Sequence, residues 1–125
     1  MRQSPTILRN VESADWLTAI ERDAVSRFKR EVSGLFGSLV EQVILFGSRA
    51  RGQGHEESDI DLAIVLSEDE QPFWRRIVDV ATDLNLEYEY RVRISPLILS
   101  RAKLLDLWKH ERAIAEAILV EGIEV

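Results

Sequence analysis

Residues 43–66, VILFGSRARGQGHEESDIDLAIVL, hold the side chains whose types and spacing could do chemistry. An apolar run ends at Gly47-Ser48, ten residues (49–58) follow, and Asp59-Ile60-Asp61 then opens a second apolar run, 62–66. A strand sends alternate side chains to opposite faces, so Asp59 and Asp61 are predicted to point the same way, roughly 7 Å apart at Cα, with Ile60 and Leu62 directed into a core. Two carboxylates on one face repel each other. The pair is tolerated where a cation sits between them, and Mg²⁺ is bound by one or two carboxylates together with substrate phosphate oxygens. Gly47 has no Cβ to keep a ligand off the backbone. A helical turn over residues 48–51 would aim its N–H groups at an anion, and Arg51 could hold a phosphate by charge-assisted hydrogen bonds. These parts suit phosphoryl or nucleotidyl transfer, which works mainly by positioning and charge neutralisation. No histidine is placed to activate Ser48 as a nucleophile, so its hydroxyl is assigned to phosphate binding.

The elements that must position this stretch can be read around it. Residues 1–12 look extended, with Pro5 disfavouring helix. Ser13 is the expected N-cap of a helix with Asp15 in its first turn; Trp16, Ile20, Ala24, Phe28, Val32 and Leu35 form its buried stripe, and it should end near Gly34 or Gly37. After the motif, residues 67–71 form an acidic turn and Pro72 opens a second helix, buried through Phe73, Ile77, Val80, Ala81 and Leu84. Arg75 and Arg76 lie on its solvated face. Residues 87–99 alternate, with Tyr88, Tyr90, Val92 and Ile94 on one side and Glu89, Arg91, Arg93 and Ser95 on the other, which predicts a half-buried strand. Pro96 places it at or near a sheet edge. Ser100 then caps a last helical stretch that breaks near His110 and ends at Gly122. Trp74 and Trp108 are expected to be packing residues, because no basic stripe accompanies them. His55 and His110 are expected at the surface.

Composition sets the outer bounds. The chain has 125 residues, no cysteine and a formal charge of −6. One domain, 1–125, is expected, with a core of useful size. A disulfide framework and thiolate metal sites are excluded. The acidic balance argues against a general nucleic-acid surface, where Lys and Arg must neutralise phosphate. No apolar run is long enough to span a bilayer and no signal segment is visible, so the cytoplasm is the expected compartment.

Gly47-Ser48-Arg49-Ala50-Arg51-Gly52, followed at this spacing by Ser58-Asp59-Ile60-Asp61-Leu62, resembles the signature of the DNA polymerase β-like nucleotidyltransferase superfamily, and in particular its minimal nucleotidyltransferase branch. The resemblance implies an α/β (α+β) fold, a small mixed sheet of three or four strands flanked by helices. It implies catalytic, metal-binding roles for Asp59 and Asp61, nucleotide contacts from Gly47, Ser48, Arg49, Arg51 and Ser58, Mg²⁺ as cofactor and ATP as substrate. Such proteins often serve as antitoxins to a HEPN-domain RNase toxin, some by transferring AMP to it, so a hetero-oligomer with such a toxin is expected. The alternative is an impaired member that blocks its toxin sterically. Transfer to a small molecule or an RNA end is a third reading, disfavoured by the small size and the acidity.

One position departs from the family. Active members usually carry a third acidic residue on the strand beside the aspartates, and the pattern puts that position at or near Arg93. An arginine neither binds a cation nor acts as a base at neutral pH. Glu89 has the right parity but lies roughly 13 Å along a strand from Arg93. Four outcomes stay open: Glu89 substitutes through a bulge, two aspartates suffice, nucleotide binds without turnover, or Arg93 pairs with Asp59 or Asp61.

Overall fold

The structure, a computed structural model, describes residues 2–7, 9–54 and 58–125; His55 lies outside the described residues. Strands β1 (Val40–Phe46), β2 (Ile60–Leu66), β3 (Ile94–Ser100) and β4 (Ile123–Glu124) form one sheet in the order β3-β2-β1-β4. β1 runs antiparallel to β2 and β4, whereas β2 and β3 are parallel. A parallel pair needs a crossover, and helix α2 (Trp74–Glu87) supplies it. Helices α1 (Ala19–Phe36), α3 (Arg101–Lys109) and α4 (Ala113–Leu119) complete the α/β fold that the motif implied.

Strand alternation builds two cores. Val43, Leu45, Leu62, Ile64 and Leu66 face one side and meet Ala24, Val25, Phe28 and Val32 of α1 and Ile77, Ala81 and Leu84 of α2. Ile44, Phe46, Ala63 and Val65 face the other and meet Leu104, Trp108, Ala115 and Ile118 of α3 and α4. Both central strands are therefore covered on both faces, which is why residues 43–46 and 62–66 read as unbroken apolar runs. Trp108 packs in the second core as expected, while Trp74 is exposed.

Three boundaries differ from the expected ones. Helix α1 starts after Thr18, not Ser13: the Thr18 hydroxyl accepts from the Glu21 amide (3.1 Å) and the Glu21 carboxylate accepts from the Thr18 amide (2.8 Å). This reciprocal capping box outcompetes the lone serine, which lies in a short 3-10 turn, Val11–Ser13. Trp16 thus falls outside the helix, and Leu35, at its far end, is exposed. Helix α2 begins at Trp74 with Phe73 as its N-cap, so Pro72 precedes it; Phe73 packs edge-to-face on Phe36. The Ser100 cap and the break at His110 are where the sequence put them, but α4 is over by Val120, and Gly122 instead admits the chain against α4, since a Cβ there would lie 2.0 Å from the Ile118 carbonyl oxygen.

The largest correction concerns residues 87–93. Helix α2 runs to Glu87, and Glu89 and Tyr90 take positive φ (55° and 57°), with the Tyr90 amide donating to the Asn85 carbonyl (2.8 Å). The Asn85 side chain also receives the Ile94 amide (2.8 Å) and donates to its carbonyl (3.0 Å), imitating a neighbouring strand at the point where β3 begins. The tyrosine alternation was misleading because Tyr88 is buried as a helix end, its hydroxyl donating to Asp23, while Tyr90 is exposed. Pro96 sits on the outer strand, as expected.

The segment after β1 is pinned from α1. Arg49 is 4% exposed and its guanidinium pairs with Glu21, 3% exposed, at 2.6 Å. Glu21 thus serves both the cap of α1 and the turn after β1. Removing one member of a buried pair strands the other charge. Arg49→Met should lower stability by about 3–5 kcal/mol, and adding Glu21→Gln, which keeps the cap and discards the stranded charge, should recover more than half of that in urea denaturation.

Candidate functional site

Strand pairing sets the geometry. The register puts Phe46, the last residue of β1, opposite Asp61 on β2. The next residue, Gly47, turns the chain at φ +78°, and a Cβ there would lie 2.6 Å from the Asp61 carboxylate oxygen Oδ2. Only glycine fits. Residues 47–51 then wind as a single helical turn, the Ala50 amide donating to the Gly47 carbonyl and the Arg51 amide to the Ser48 carbonyl (both 3.1 Å). The turn is expected from the sequence; its supports are not. The Trp16 indole N–H donates to the Arg49 carbonyl and its ring lies under Gly52, while Arg9 donates to the Ala50 carbonyl (2.6 Å). Such contacts join residues far apart in the chain, and no local pattern announces them.

Of the predicted nucleotide-binding residues, Gly47, Ser48 and Ser58 converge. A Cβ on Gly54 would lie 3.0 Å from the Ser48 hydroxyl and 2.9 Å from that of Ser58, so this glycine keeps open the space the two hydroxyls share. Arg51 is exposed near the turn, its Nε donating to Gln53 (3.1 Å) and its Nη1 3.6 Å from Glu121. Arg49 is placed differently: its guanidinium lies in the core against Glu21, and its part is to hold the turn rather than to meet a phosphate.

Asp59 lies just ahead of β2 and Asp61 is its second residue, two positions apart on one face. The Asp61 carboxyl is pushed above the ordinary carboxylate range, first by burial and then by the charge of Asp59. On β3, Ser95 stands level with Asp61, and two residues earlier, just ahead of the strand, the Arg93 Nε donates to Asp59 Oδ1 at 3.1 Å. Glu89 lies in the left-handed turn, off the strand. Among the described residues no three His, Cys, Asp or Glu side chains are gathered to hold a metal. Asp59 and Asp61 nevertheless fit one divalent cation shared with phosphate oxygens: the burial and charge crowding that raise Asp61 are what a cation there would offset.

That crowding has a measurable consequence. A carboxyl whose folded pKa lies above its unfolded value weakens the fold once it ionises, so its destabilising effect is present at neutral pH and fades as pH falls through the raised value. Asp61→Asn should therefore melt at or above the parent's temperature at pH 7, with the difference shrinking toward pH 4 in thermal scans without metal.

Residues 25–120 match the family described as nucleotidyltransferase domain. Two proteins of Methanocaldococcus jannaschii, both provisionally named protein adenylyltransferases, are similar to the chain. One is 34% identical over 82 residues, covering 63% of this chain and 79% of the relative, and the other is 37% identical over 68 residues, covering 54% and 64%. A crystal structure of a toxin–antitoxin complex with AMP-PNP shares the fold at a TM-score of 0.52 and 16% identity, covering 82% of this chain and 69% of the other. A bare turn set against twin aspartates, on a match that runs from within α1 to the end of α4, is enough to place the molecule: this chain belongs to the nucleotidyltransferase domain family.

Proposed function

We propose that the chain is a protein adenylyltransferase that transfers AMP from ATP to a hydroxyl of a partner toxin, of the HEPN RNase type, and so acts as its antitoxin. The observation that carries this reading is the close approach of Gly47 to Asp61 beside Asp59, which leaves a bare helical turn facing two carboxylates. The names of the M. jannaschii relatives support the reaction, and the toxin–antitoxin neighbour bound to AMP-PNP, an ATP analogue, supports the partner class. The charge of −6 suits a partner whose surface is basic enough to bind RNA.

In this reading Ser48 and Ser58 donate hydrogen bonds to the terminal phosphates, and Arg51 leaves Glu121 to join them. Asp59 and Asp61 would hold Mg²⁺, which when bound would supply charge neutralisation at the triphosphate. The acceptor oxygen forms a bond to the α-phosphorus while the bond to the bridging oxygen of pyrophosphate breaks, and the hydroxyl proton passes to water. Gly47 keeps the backbone clear, and Arg49 acts only by fixing the turn.

A second reading, an antitoxin that binds its toxin without modifying it, is favoured by the Arg93–Asp59 pair and by the lack of a third carboxylate beside Asp61 among the described residues. Calorimetry with Mg-ATP tests the site: Asp59→Asn and Asp61→Asn should each weaken binding by about tenfold or more, since each removes a charged ligand. Mass spectrometry of the co-expressed toxin tests the function. The adenylyltransferase reading expects one added AMP and loss of both the mass shift and the neutralisation in the Asp59→Asn/Asp61→Asn variant. Neutralisation that persists in that variant without a mass shift establishes the steric antitoxin instead.

A further inference from the structure

Arg93 stands where this site has least reason to hold a cation of its own. Its backbone is fixed, because the Arg93 carbonyl accepts the Ile60 amide at 2.8 Å and so continues the pairing of β2 with β3 by one residue. Its side chain is not. Among the described residues the guanidinium meets Asp59 alone, Nε to Oδ1 at 3.1 Å, and both side chains are exposed, 45% and 59%. Arg49 offers the contrast within the same molecule: a buried guanidinium held at 2.6 Å by a buried carboxylate. The Asp59–Asp61 pair therefore has a resident positive charge that can be displaced, since exposed ion pairs are worth little and are screened by salt.

We propose that Arg93 is an exchangeable counter-cation, which occupies Asp59 in the empty protein, gives way when divalent metal arrives, and then binds the triphosphate that accompanies the metal. This rests on the nucleotidyltransferase reading of the site and adds its order of filling. Metal alone must evict the guanidinium and binds poorly. Metal with nucleotide offers the guanidinium a new anionic partner at once, so the two ligands bind together better than separately. A guanidinium suits the second role, because its fork of N–H donors matches phosphate oxygens. The position that could have carried a further acid is thus used to make metal binding conditional on nucleotide.

The test compares the parent protein with Arg93→Ala and with Arg93→Gln, which keeps the bulk and removes the charge. Mn²⁺ binding without nucleotide is read by calorimetry, and Mg-ATP binding by displacement of a fluorescent ATP analogue. Both variants should bind Mn²⁺ about two- to fivefold more tightly than the parent, the range expected for losing one exposed ion-pair competitor, yet bind Mg-ATP about tenfold more weakly through loss of a charged phosphate contact. A residue that merely supported the fold would move both affinities in one direction. Unchanged Mn²⁺ affinity in both variants, with Asp59→Asn still abolishing it, overturns the counter-cation role and leaves the metal site standing. Absence of Mn²⁺ and Mg-ATP binding in the parent overturns the reading of the site itself.

Discussion

Everything in this site follows from how closely the backbone at Gly47 approaches the carboxylate of Asp61. That approach exists because β1 and β2 pair so that Phe46 lies opposite Asp61, leaving the next residue to turn beneath the acid. The two apolar cores fix the pairing, since a slip of one residue would send every buried side chain of β2 to the wrong face. Hydrophobic burial on both faces of two central strands is thus what holds a charged group against a bare peptide. The strain of crowded negative charge is localised at Asp61, where burial and Asp59 both work against ionisation.

The arginines around the site show how one side-chain type takes different work from its surroundings. Arg49, dry and paired with Glu21, is a strut between α1 and the turn. Arg51 and Arg93 have the same chemistry but exposed partners, Glu121 and Gln53 for the first and Asp59 for the second. Burial makes the first contact hard to exchange, whereas screening by water makes the other two easy to remake. Position in the fold, not residue identity, divides structural cation from mobile cation.

Much of this was legible in the residues. The apolar runs flanking the motif gave the central strands, the spacing of Gly47, Asp59 and Asp61 gave the site's outline, and Ser100 marked the start of α3. What could not be read was decided by competition between distant groups. Ser13 looked like a cap until Thr18 and Glu21 formed a better one. Residues 87–93 alternate like a strand, yet Asn85 and two left-handed residues hold them as a turn. Arg49 sits within the motif and looks like a phosphate ligand, because nothing nearby in sequence reveals that Glu21 waits in the core. Arg9 and Trp16, which brace the turn from the opposite end of the chain, have no local signature at all.

The outer strand carries a further consequence. In β3 alternate residues direct their peptide groups away from β2, and Arg93, bonded to Ile60, sets the phase, so Ile94 and Pro96 face outward. The outward groups of Ile94 are already taken by the Asn85 amide, and Pro96 has no N–H to offer. At the far margin β4 is only two residues long. The first half of the β3 border and the short β4 border are therefore poor templates for an added strand. Where β3 begins, an approaching chain finds those peptide groups already spent, which guards that stretch against edge-to-edge sticking between copies.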